Sequence, residues 1–336
     1  MNALNILYQS NDAFAPLLGV SLSSLLKNAV NIEKLKIYII NKEICADNIS
    51  KIENLCHSYQ RELIWISAEK IENLIAEYKL PPYKGFRKNN MSIMKIFAGE
   101  LIQEERLLYL DCDTIVTGSI DELADLDMKN YPAGMVRDSI IPTKYKQQIG
   151  FSKEDNYYNS GIIYFNLVQW KKQRCLEKIT ALAQTGVSFG TVDQDYINVA
   201  LKNHIYTLDF KYNVQCMHFL CSPEYYEKYF SDIKPSYEFQ SIKDGCSSPC
   251  IVHYEKFCGM LPFHANSVHP CTKLFDIYLK ETDWNDSIKR PTAEIGFVMK
   301  IERILFLILP RFIFIKLFKI ASDHSLIMSG RQKYSK

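Results

Sequence analysis

The sequence lacks three patterns that would place it in a specialised class of proteins. It has no C-x-x-C pair among its ten cysteines, so a zinc module is disfavoured. No signal-peptide pattern precedes the first strand-like segment, and we therefore expect a reducing, cytoplasmic setting rather than a disulfide framework. The net charge is only +2, which gives no general reason to expect a nucleic-acid partner.

The chain also lacks a long uninterrupted hydrophobic run. Residues 295–320, IGFVMKIERILFLILPRFIFIKLFKI, are broken by charged residues, so no run reaches the roughly 20 apolar residues of a spanning helix. Residues 285–336 contain ten Lys or Arg and four Asp or Glu, a charge of +6, whereas the rest of the chain carries −4. We expect a basic amphipathic segment on an anionic membrane surface. The alternative is a terminal helix pair packed on the protein's own core.

Sequence patterns typical of strands and of helices follow one another in turn over residues 1–284, which we expect to form the catalytic domain. The patterns predict strands at 4–8, 35–40, 62–66, 107–110, 133–136 and 161–166, and helices at 16–27, 46–58, 69–78, 91–101, 168–183 and 194–201. Residues 212–249 favour an irregular lid or acceptor-facing insertion. This alternation predicts an α/β fold with a doubly wound, mostly parallel sheet and a helical C-terminal appendage.

An acidic pair follows the apolar segment LLYL. Asp111 and Asp113 stand one residue apart, so an extended chain places both carboxylates on one side. Ligands of open α/β sheets collect at strand ends, where such a pair can bind a divalent cation that grips a diphosphate. A solvated acidic turn gives the same letters. So do haloacid-dehalogenase phosphatases, in which Asp111 would be the nucleophile, but those enzymes favour Thr or Val where Ile115 stands.

Five ordered motifs make the chain similar to glycosyltransferase family 8, the retaining enzymes that include bacterial lipopolysaccharide galactosyl- and glucosyltransferases and the glycogenins. They extend from about residue 5 to residue 262 and read ILYQSNDAFAPLLGVSLSSLL, LLYLDCDTIV, YYNSGIIYFNLVQW, VDQDYIN and IVHY. The resemblance implies a GT-A fold, a UDP-hexose donor carrying galactose or glucose, and Mn²⁺, with Mg²⁺ as the alternative. The implied acceptor is an oligosaccharide, a lipopolysaccharide or a lipid-linked glycan.

The resemblance also implies the residues of the site. It assigns the metal to Asp111, Asp113 and His253, a ligand set that suits Mn²⁺. The remaining donor-binding residues that it implies are Gln9, Asn11 and Asp12 after the first strand, Lys95 in place of a family Arg, Cys112 between the two acids, Asp138, Asn159, Lys256 and Gly259. With the basic tail, these features predict a cytoplasmic enzyme at the inner face of the cell membrane.

Asp193 and Gln194 of VDQD are the catalytic residues that the resemblance implies. The family's usual candidate on the reacting face is a Gln, and an amide oxygen is a poor nucleophile. We therefore expect front-face attack, in which Gln194 stabilises oxocarbenium-like charge. The alternative for Asp193 is an N-cap of the following helix.

The chain departs from the family pattern after His253. Family members commonly have a short Gly-containing loop and then Lys-Pro-Trp, whereas here Leu261 replaces the Lys, Phe263 replaces the Trp and the loop is about two residues longer. We expect Lys256 to reach the diphosphate instead. If nothing replaces the missing Lys, the chain would be a UDP-sugar-binding protein with little or no turnover.

Overall fold

The computed structural model describes residues 3–80, 91–138, 140–187, 189–230, 237–285 and 290–331. Residues 286–289 and 332–336 of the basic tail therefore lie outside the described residues. The strands are β1 (Ala3–Asn11), β2 (Lys34–Lys42), β3 (Glu62–Ser67), β4 (Arg106–Leu110), β5 (Thr114–Val116), β6 (Ala133–Arg137), β7 (Tyr158–Asn166), β8 (Ile205–Thr207), β9 (Val214–Gln215) and β10 (Ile251–His253). The helices are α1 (Ala15–Asn28), α2 (Ala46–Ser58), α3 (Ala68–Glu77), α4 (Met91–Met94), α5 (Ala98–Leu101), α6 (Asp121–Ala124), α7 (Thr143–Gln148), α8 (Leu167–Lys172), α9 (Cys175–Gln184), α10 (Val192–Ala200), α11 (Pro223–Phe230), α12 (Phe239–Ser247), α13 (Thr272–Leu279), α14 (Phe297–Ile308) and α15 (Arg311–Arg331).

Seven strands form the main sheet in the order β3-β2-β1-β4-β7-β6-β8. β1 pairs in parallel with β2 and β4, and β2 pairs in parallel with β3. β7 runs antiparallel to both β4 and β6, while β6 and β8 are parallel. The predicted α/β class and mostly parallel sheet are therefore confirmed.

Side chains of β4 alternate between two hydrophobic cores. Leu108 and Leu110 belong to the core on one face of the sheet, and Leu107 and Tyr109 belong to the core on the other. Because helices cover both faces, the strand is apolar and buried from Leu107 to Leu110, and only its first residue, Arg106, is partly exposed. Its buried position fixes where the chain that follows it, beginning at Asp111, leaves the sheet.

A second, small sheet contains β5, β10 and β9 in that order. β10 is antiparallel to β5, with His253 opposite Thr114, and parallel to β9, with His253 opposite Gln215. These strands have two or three residues each, too few for a recognisable alternation in the sequence. They were not predicted, although they bring the C-terminal motif IVHY back to the acidic pair.

Three predicted elements differ from the structure. The helix predicted over 168–183 is divided into α8 and α9, because Arg174 has the left-handed φ of +54°. The helix predicted over 91–101 is interrupted by a 3₁₀ turn at Lys95–Phe97. The stretch 212–249, predicted to be irregular, contains β9, α11 and α12. These short elements have too few residues to give a clear helical or strand periodicity.

The C-terminal helices α14 and α15 pack on the core through Phe306, Phe314 and Ile315, all of which are buried. Phe306 makes an edge-on contact with Phe257, with ring centroids 4.8 Å apart. The alternative prediction for this segment, a helix pair packed on the protein's own core, thus describes one side of these two helices. Among the described residues no helix combines the length and the apolarity that crossing a membrane requires.

Candidate functional site

Three side chains with metal-binding chemistry meet where β4 and β10 end. Nε2 of His253 lies 3.2 Å from Oδ1 of Asp113 and 4.0 Å from Oδ2 of Asp111. One ligand atom from each of the three residues lies within 4.8 Å of the other two. Two carboxylates and an imidazole at this spacing suit one divalent cation that keeps further positions for other ligands. The structure therefore brings together the three residues predicted to bind a metal.

Backbone hydrogen bonds hold the acidic segment between the two sheets. The Asp111 amide donates to the Gly161 carbonyl at 2.8 Å, and the Tyr254 amide donates to the Asp113 carbonyl at 3.0 Å. The Cys112 thiol donates to the Gln9 carbonyl at 3.1 Å, so its side chain points back to β1. Alternation thus leaves the two carboxylates on one side and the thiol on the other. A donor contact of Cys112 stays a prediction.

The charges of the site depend on one another. Burial favours neutral His253, but Asp113, Glu255 and Asp111 outweigh it and raise the pKa of His253 to about 9. Burial raises the pKa of Asp111, and Lys95 opposes that shift. At neutral pH the imidazolium therefore serves as a counter-charge to Asp113. Because a metal binds the neutral imidazole, we expect cation binding to release this proton.

Gly161 on β7 lets the imidazole of His253 reach the acidic pair. A Cβ on Gly161 would lie 2.2 Å from Cε1 and 2.6 Å from Nδ1 of His253. Real Cβ atoms do not approach other atoms that closely, so any other residue would displace the ring or the strand. This contact was not predicted. The only sequence signal was a glycine inside a strand, which can mark the close approach of another group.

Lys95 lies beneath the acidic pair, with a side chain only 2% exposed. Its Nζ is 2.9 Å from Oδ2 of Asp193 and 3.6 Å from Oδ1 of Asp111, and it donates to the Ser160 carbonyl at 2.8 Å. Burial lowers the pKa of Lys95, but Asp111 and Asp193 outweigh it and raise the pKa above its ordinary value. Lys95 is therefore a buried cation that lies between Asp111 and Asp193. Its contact with the donor stays a prediction.

Replacing Lys95 by Met is expected to lower the free energy of unfolding by about 3–5 kcal/mol, because it leaves two carboxylates without their buried counter-charge. Chemical denaturation measures this loss. The exposed Lys70→Met is the matched control and should change stability by less than about 0.5 kcal/mol. The double variant Lys95→Met/Asp193→Asn should recover part of the loss. A similarly small effect for both single variants would contradict the ion-pair account.

A buried polar cluster lies beside this ion pair. Gln194 donates from Nε2 to Oδ2 of Asp138 at 3.1 Å, and its Oε1 accepts from the Ser160 amide at 3.1 Å. Asn159 donates to the same Asp138 oxygen at 3.2 Å. Asp193 lies in the first turn of α10, but its Oδ2 accepts from the Ser160 hydroxyl at 2.8 Å and its N-cap position belongs to Thr191. Asp138 and Asn159, predicted to bind the donor, are thus adjacent to Asp193 and Gln194, predicted to be catalytic.

Residues after β1 have local roles as well. Asn11 accepts from the Phe14 amide at 3.1 Å, as a turn cap does. Asp12 accepts from the Cys45 amide and from Asn48, and these hydrogen bonds lower the pKa of Asp12. Gln9 differs, because its buried Oε1 finds no hydrogen-bond partner in the described part of the chain. An unsatisfied buried acceptor is costly, so Gln9 is suited to a ligand that donates a hydrogen bond.

The loop after β10 contacts the C-terminal appendage. Gly259 has a φ of +73°, and a Cβ there would lie 2.3 Å from Sδ of Met299 in α14. Leu261, which stands where the family has Lys, is buried, whereas Lys256 is exposed. Leucine has no charge, so Leu261 does not replace the positive charge of the family Lys. The contact of Lys256 with a diphosphate, and that of Gly259 with the donor, stay predictions.

A family model described as glycosyl transferase family 8 matches residues 5–260. The chain belongs to glycosyltransferase family 8. This assignment confirms the resemblance seen in the five motifs, and it replaces the alternative of a haloacid-dehalogenase phosphatase. Glycosyltransferases of this kind use a divalent metal and a nucleotide sugar, which agrees with the group formed by Asp111, Asp113 and His253, whose ligand atoms could hold a metal.

Individual relatives agree with the family. General stress protein A of Bacillus subtilis is 27% identical over 84% of this chain and 95% of that protein. A lipopolysaccharide 1,2-glucosyltransferase of Escherichia coli K12 is 27% identical over 87% of this chain and 82% of that protein. Both relatives match this chain over most of their own length.

Solved structures establish the fold of this family 8 glycosyltransferase. The galactosyltransferase LgtC, in complex with donor and acceptor sugar analogs, superposes with a TM-score of 0.63 at 18% identity over 83% of this chain and 96% of that chain. The bifunctional glycosyltransferase WbbM superposes with a TM-score of 0.69 at 16% identity over 87% of this chain but only 52% of that chain. The predicted GT-A fold is confirmed.

Proposed function

We propose that this family 8 glycosyltransferase transfers a hexose, galactose or glucose, from UDP to a glycan acceptor with retention of anomeric configuration. The observation that carries the proposal is the convergence of Asp111, Asp113 and His253 beside a buried cluster of amides and carboxylates. The relatives named for glucosyl and galactosyl transfer support the choice of hexose. A lipopolysaccharide or another cell-surface glycan is the proposed acceptor, by analogy with the glucosyltransferase of Escherichia coli.

Mn²⁺ is the proposed cofactor, with Mg²⁺ as the alternative. Asp111, Asp113 and His253 would hold it, and the bound cation would supply positive charge for the diphosphate of the departing UDP. Lys256 is the proposed further contact of the diphosphate, because it is exposed on the loop that follows His253. Gln9 would accept a hydrogen bond from the nucleoside through its unsatisfied Oε1.

The proposed roles of the sugar-binding residues follow from their hydrogen bonds. Asp138, Asn159 and Asp193 would accept hydrogen bonds from the sugar hydroxyls or donate hydrogen bonds to them. The site would then distinguish epimers, because their hydroxyls point in different directions and find different partners. Gln194 is fixed, because Nε2 donates to Asp138 and Oε1 accepts from the Ser160 amide. Its oxygen keeps one lone pair, which would stabilise oxocarbenium-like charge during front-face attack.

The test is the release of UDP from a panel of UDP-sugars incubated with the purified full chain and Mn²⁺, with and without saccharide acceptors. The proposal expects turnover with UDP-galactose or UDP-glucose and little with other donors. Calorimetric donor binding without hydrolysis or transfer would instead favour the sugar-binding alternative that Leu261 motivates. Turnover that is unaffected by EDTA would contradict the metal assignment.

We further propose that the appendage attaches the enzyme to the inner face of the cell membrane. The exposed apolar residues of α14 and α15 include Phe297, Val298, Ile301, Ile304, Leu307, Ile308, Phe312, Ile313, Leu317 and Ile320. On α14 they recur at helical spacing, and the exposed Lys300 lies within the same stripe. Apolar side chains flanked by cations are the features with which interfacial helices bind anionic lipid.

Reversing two exposed cations, Lys300→Glu/Lys316→Glu, is expected to weaken binding to anionic vesicles by at least about 30-fold, since each cation near the surface contributes about 1 kcal/mol. Vesicle sedimentation measures the change, and added salt should weaken the binding of the unmodified protein. Lys34→Glu/Lys70→Glu, at exposed sites on β2 and α3, is the matched control. Equal loss in both variants, or no loss in either, would contradict the proposed membrane surface.

A further inference from the structure

The imidazole of His253 is satisfied on one nitrogen only. Nε2 faces Asp113 at 3.2 Å, whereas the buried Nδ1 has no hydrogen-bond partner among the residues that the structure describes. The ring packs closely on Gly161, where a Cβ would lie 2.6 Å from Nδ1. An imidazole that binds a metal through Nε2 carries its proton on Nδ1, and that proton then needs an acceptor.

Glu255 is the carboxylate that faces this nitrogen. Its Oε1 lies 3.8 Å from Nδ1 of His253, roughly 0.6 Å beyond the upper end of hydrogen-bond distances. The same oxygen accepts from Nε2 of Gln215 at 3.1 Å, and Gln215 is paired with His253 across β9 and β10. Glu255 is thus held next to the ring by a neighbouring strand.

The backbone of Glu255 is strained, since its φ of +47° lies in the left-handed region that favours glycine. A residue with a side chain in this region costs of order 1 kcal/mol. This strain makes a glutamate unfavourable for stability here, so its presence calls for a function.

The neighbouring amide of Asn159 cannot take the place of Glu255. Its Oδ1 accepts from the Gly161 amide at 2.9 Å and from Nδ2 of Asn213 at 2.9 Å. Both lone pairs of this oxygen are therefore in use. Oε1 of Glu255, 3.8 Å from Nδ1, offers a charged acceptor instead.

We propose that Glu255 is a positioning residue that accepts the Nδ1 proton of His253 when Nε2 binds a divalent cation. Nε2, which lies at hydrogen-bond distance from Asp113, must be unprotonated when it binds the cation, so the one ring proton is then on Nδ1. A shift of about 1 Å then gives Nδ1–H a charged acceptor. The inference rests on the metal site of the proposed function. It extends that site to a residue outside the family motifs quoted above.

Titration of the metal-free full chain with Mn²⁺ in a calorimeter tests this role. Partners of metal-binding imidazoles are typically worth 10–100-fold in metal affinity. We expect Glu255→Gln, which keeps an acceptor but loses the charge, to weaken binding by about tenfold, and Glu255→Gly by about 100-fold. Glu105→Ala, at an exposed acid remote in sequence, is the control and should bind as the unmodified chain does.

Two further measurements separate positioning from a structural role. Glu255→Gly removes a strained residue, so its melting temperature should be no lower than that of the unmodified chain while its metal affinity falls. With diamagnetic Mg²⁺, ¹⁵N NMR should find the His253 proton on Nδ1. Unchanged affinity in both Glu255 variants, with the unmodified chain still binding Mn²⁺, would overturn this inference alone. Failure of the unmodified chain to bind any divalent cation would overturn the metal assignment as well.

Discussion

Asp113→Ala is expected to reduce sugar transfer by about 1,000-fold or more. The substitution removes one of two carboxylate ligands and the partner that Nε2 of His253 contacts at 3.2 Å. A bound cation supplies several kcal/mol of charge stabilisation to a departing diphosphate, and about 4 kcal/mol corresponds to three orders of magnitude in rate. The rate of UDP release with saturating donor and Mn²⁺ measures the loss.

The fold should survive this change, because the hydrogen bond from Tyr254 to residue 113 uses the backbone carbonyl. Circular dichroism and the melting temperature check that point. Glu69→Ala, an exposed acid in the first turn of α3, is the matched control and should retain full activity. Activity of Asp113→Ala within tenfold of the unmodified enzyme would refute the metal-binding role of the acidic pair.

Gly161→Ala is expected to lower the transfer rate by about 100-fold with no change in any charged or metal-binding group. The added methyl would lie 2.2 Å from Cε1 of His253, so the imidazole must move by an ångström or more. A displacement of that size at a reacting site costs about two orders of magnitude. Steady-state kinetics and the Mn²⁺ dissociation constant should deteriorate together.

Gly296→Ala provides the control, since a Cβ at Gly296 would meet nothing within 4 Å. It tests whether a methyl group alone disturbs the chain. If Gly161→Ala instead binds Mn²⁺ as tightly as the unmodified chain, the imidazole is not confined by this glycine and its assignment as a metal ligand loses its structural basis.

The sequence was sufficient to predict the strands and helices of the parallel half of the sheet. Strands β1 to β4 and helices α1 to α3 are each long enough, or apolar enough, to give a clear period. Prediction failed where an element was short or where one residue broke a helix. The left-handed Arg174 divides α8 from α9, and nothing in the local pattern distinguishes it from a helical arginine.

The site was predicted in part. Asp111 and Asp113 follow from the strand end and from alternation, but the link to His253 spans 140 positions and came only from the order of family motifs. Ser160, Gly161 and Glu255 were missed. Their roles depend on how β7 and the small sheet pack against each other, which no local sequence pattern encodes.

Lys95 illustrates the same limit. It stands where the family has an Arg, and it was therefore predicted to contact the donor. Its sequence neighbours do not show how deeply its side chain is buried. The structure buries it against Asp111 and Asp193, where its charge supports the site from below. Burial and pairing depend on the tertiary fold, so the position of Lys95 in a motif did not reveal these contacts.

The central claim is that Asp111, Asp113 and His253 bind a single cation beneath the diphosphate of the donor. Anomalous diffraction from a crystal of the full chain soaked with Mn²⁺ and UDP tests it most directly. We expect one strong peak within bonding distance of a carboxylate oxygen of each aspartate, of Nε2 of His253 and of the diphosphate. A peak that excludes His253, or UDP bound with no peak at this position, would contradict the account.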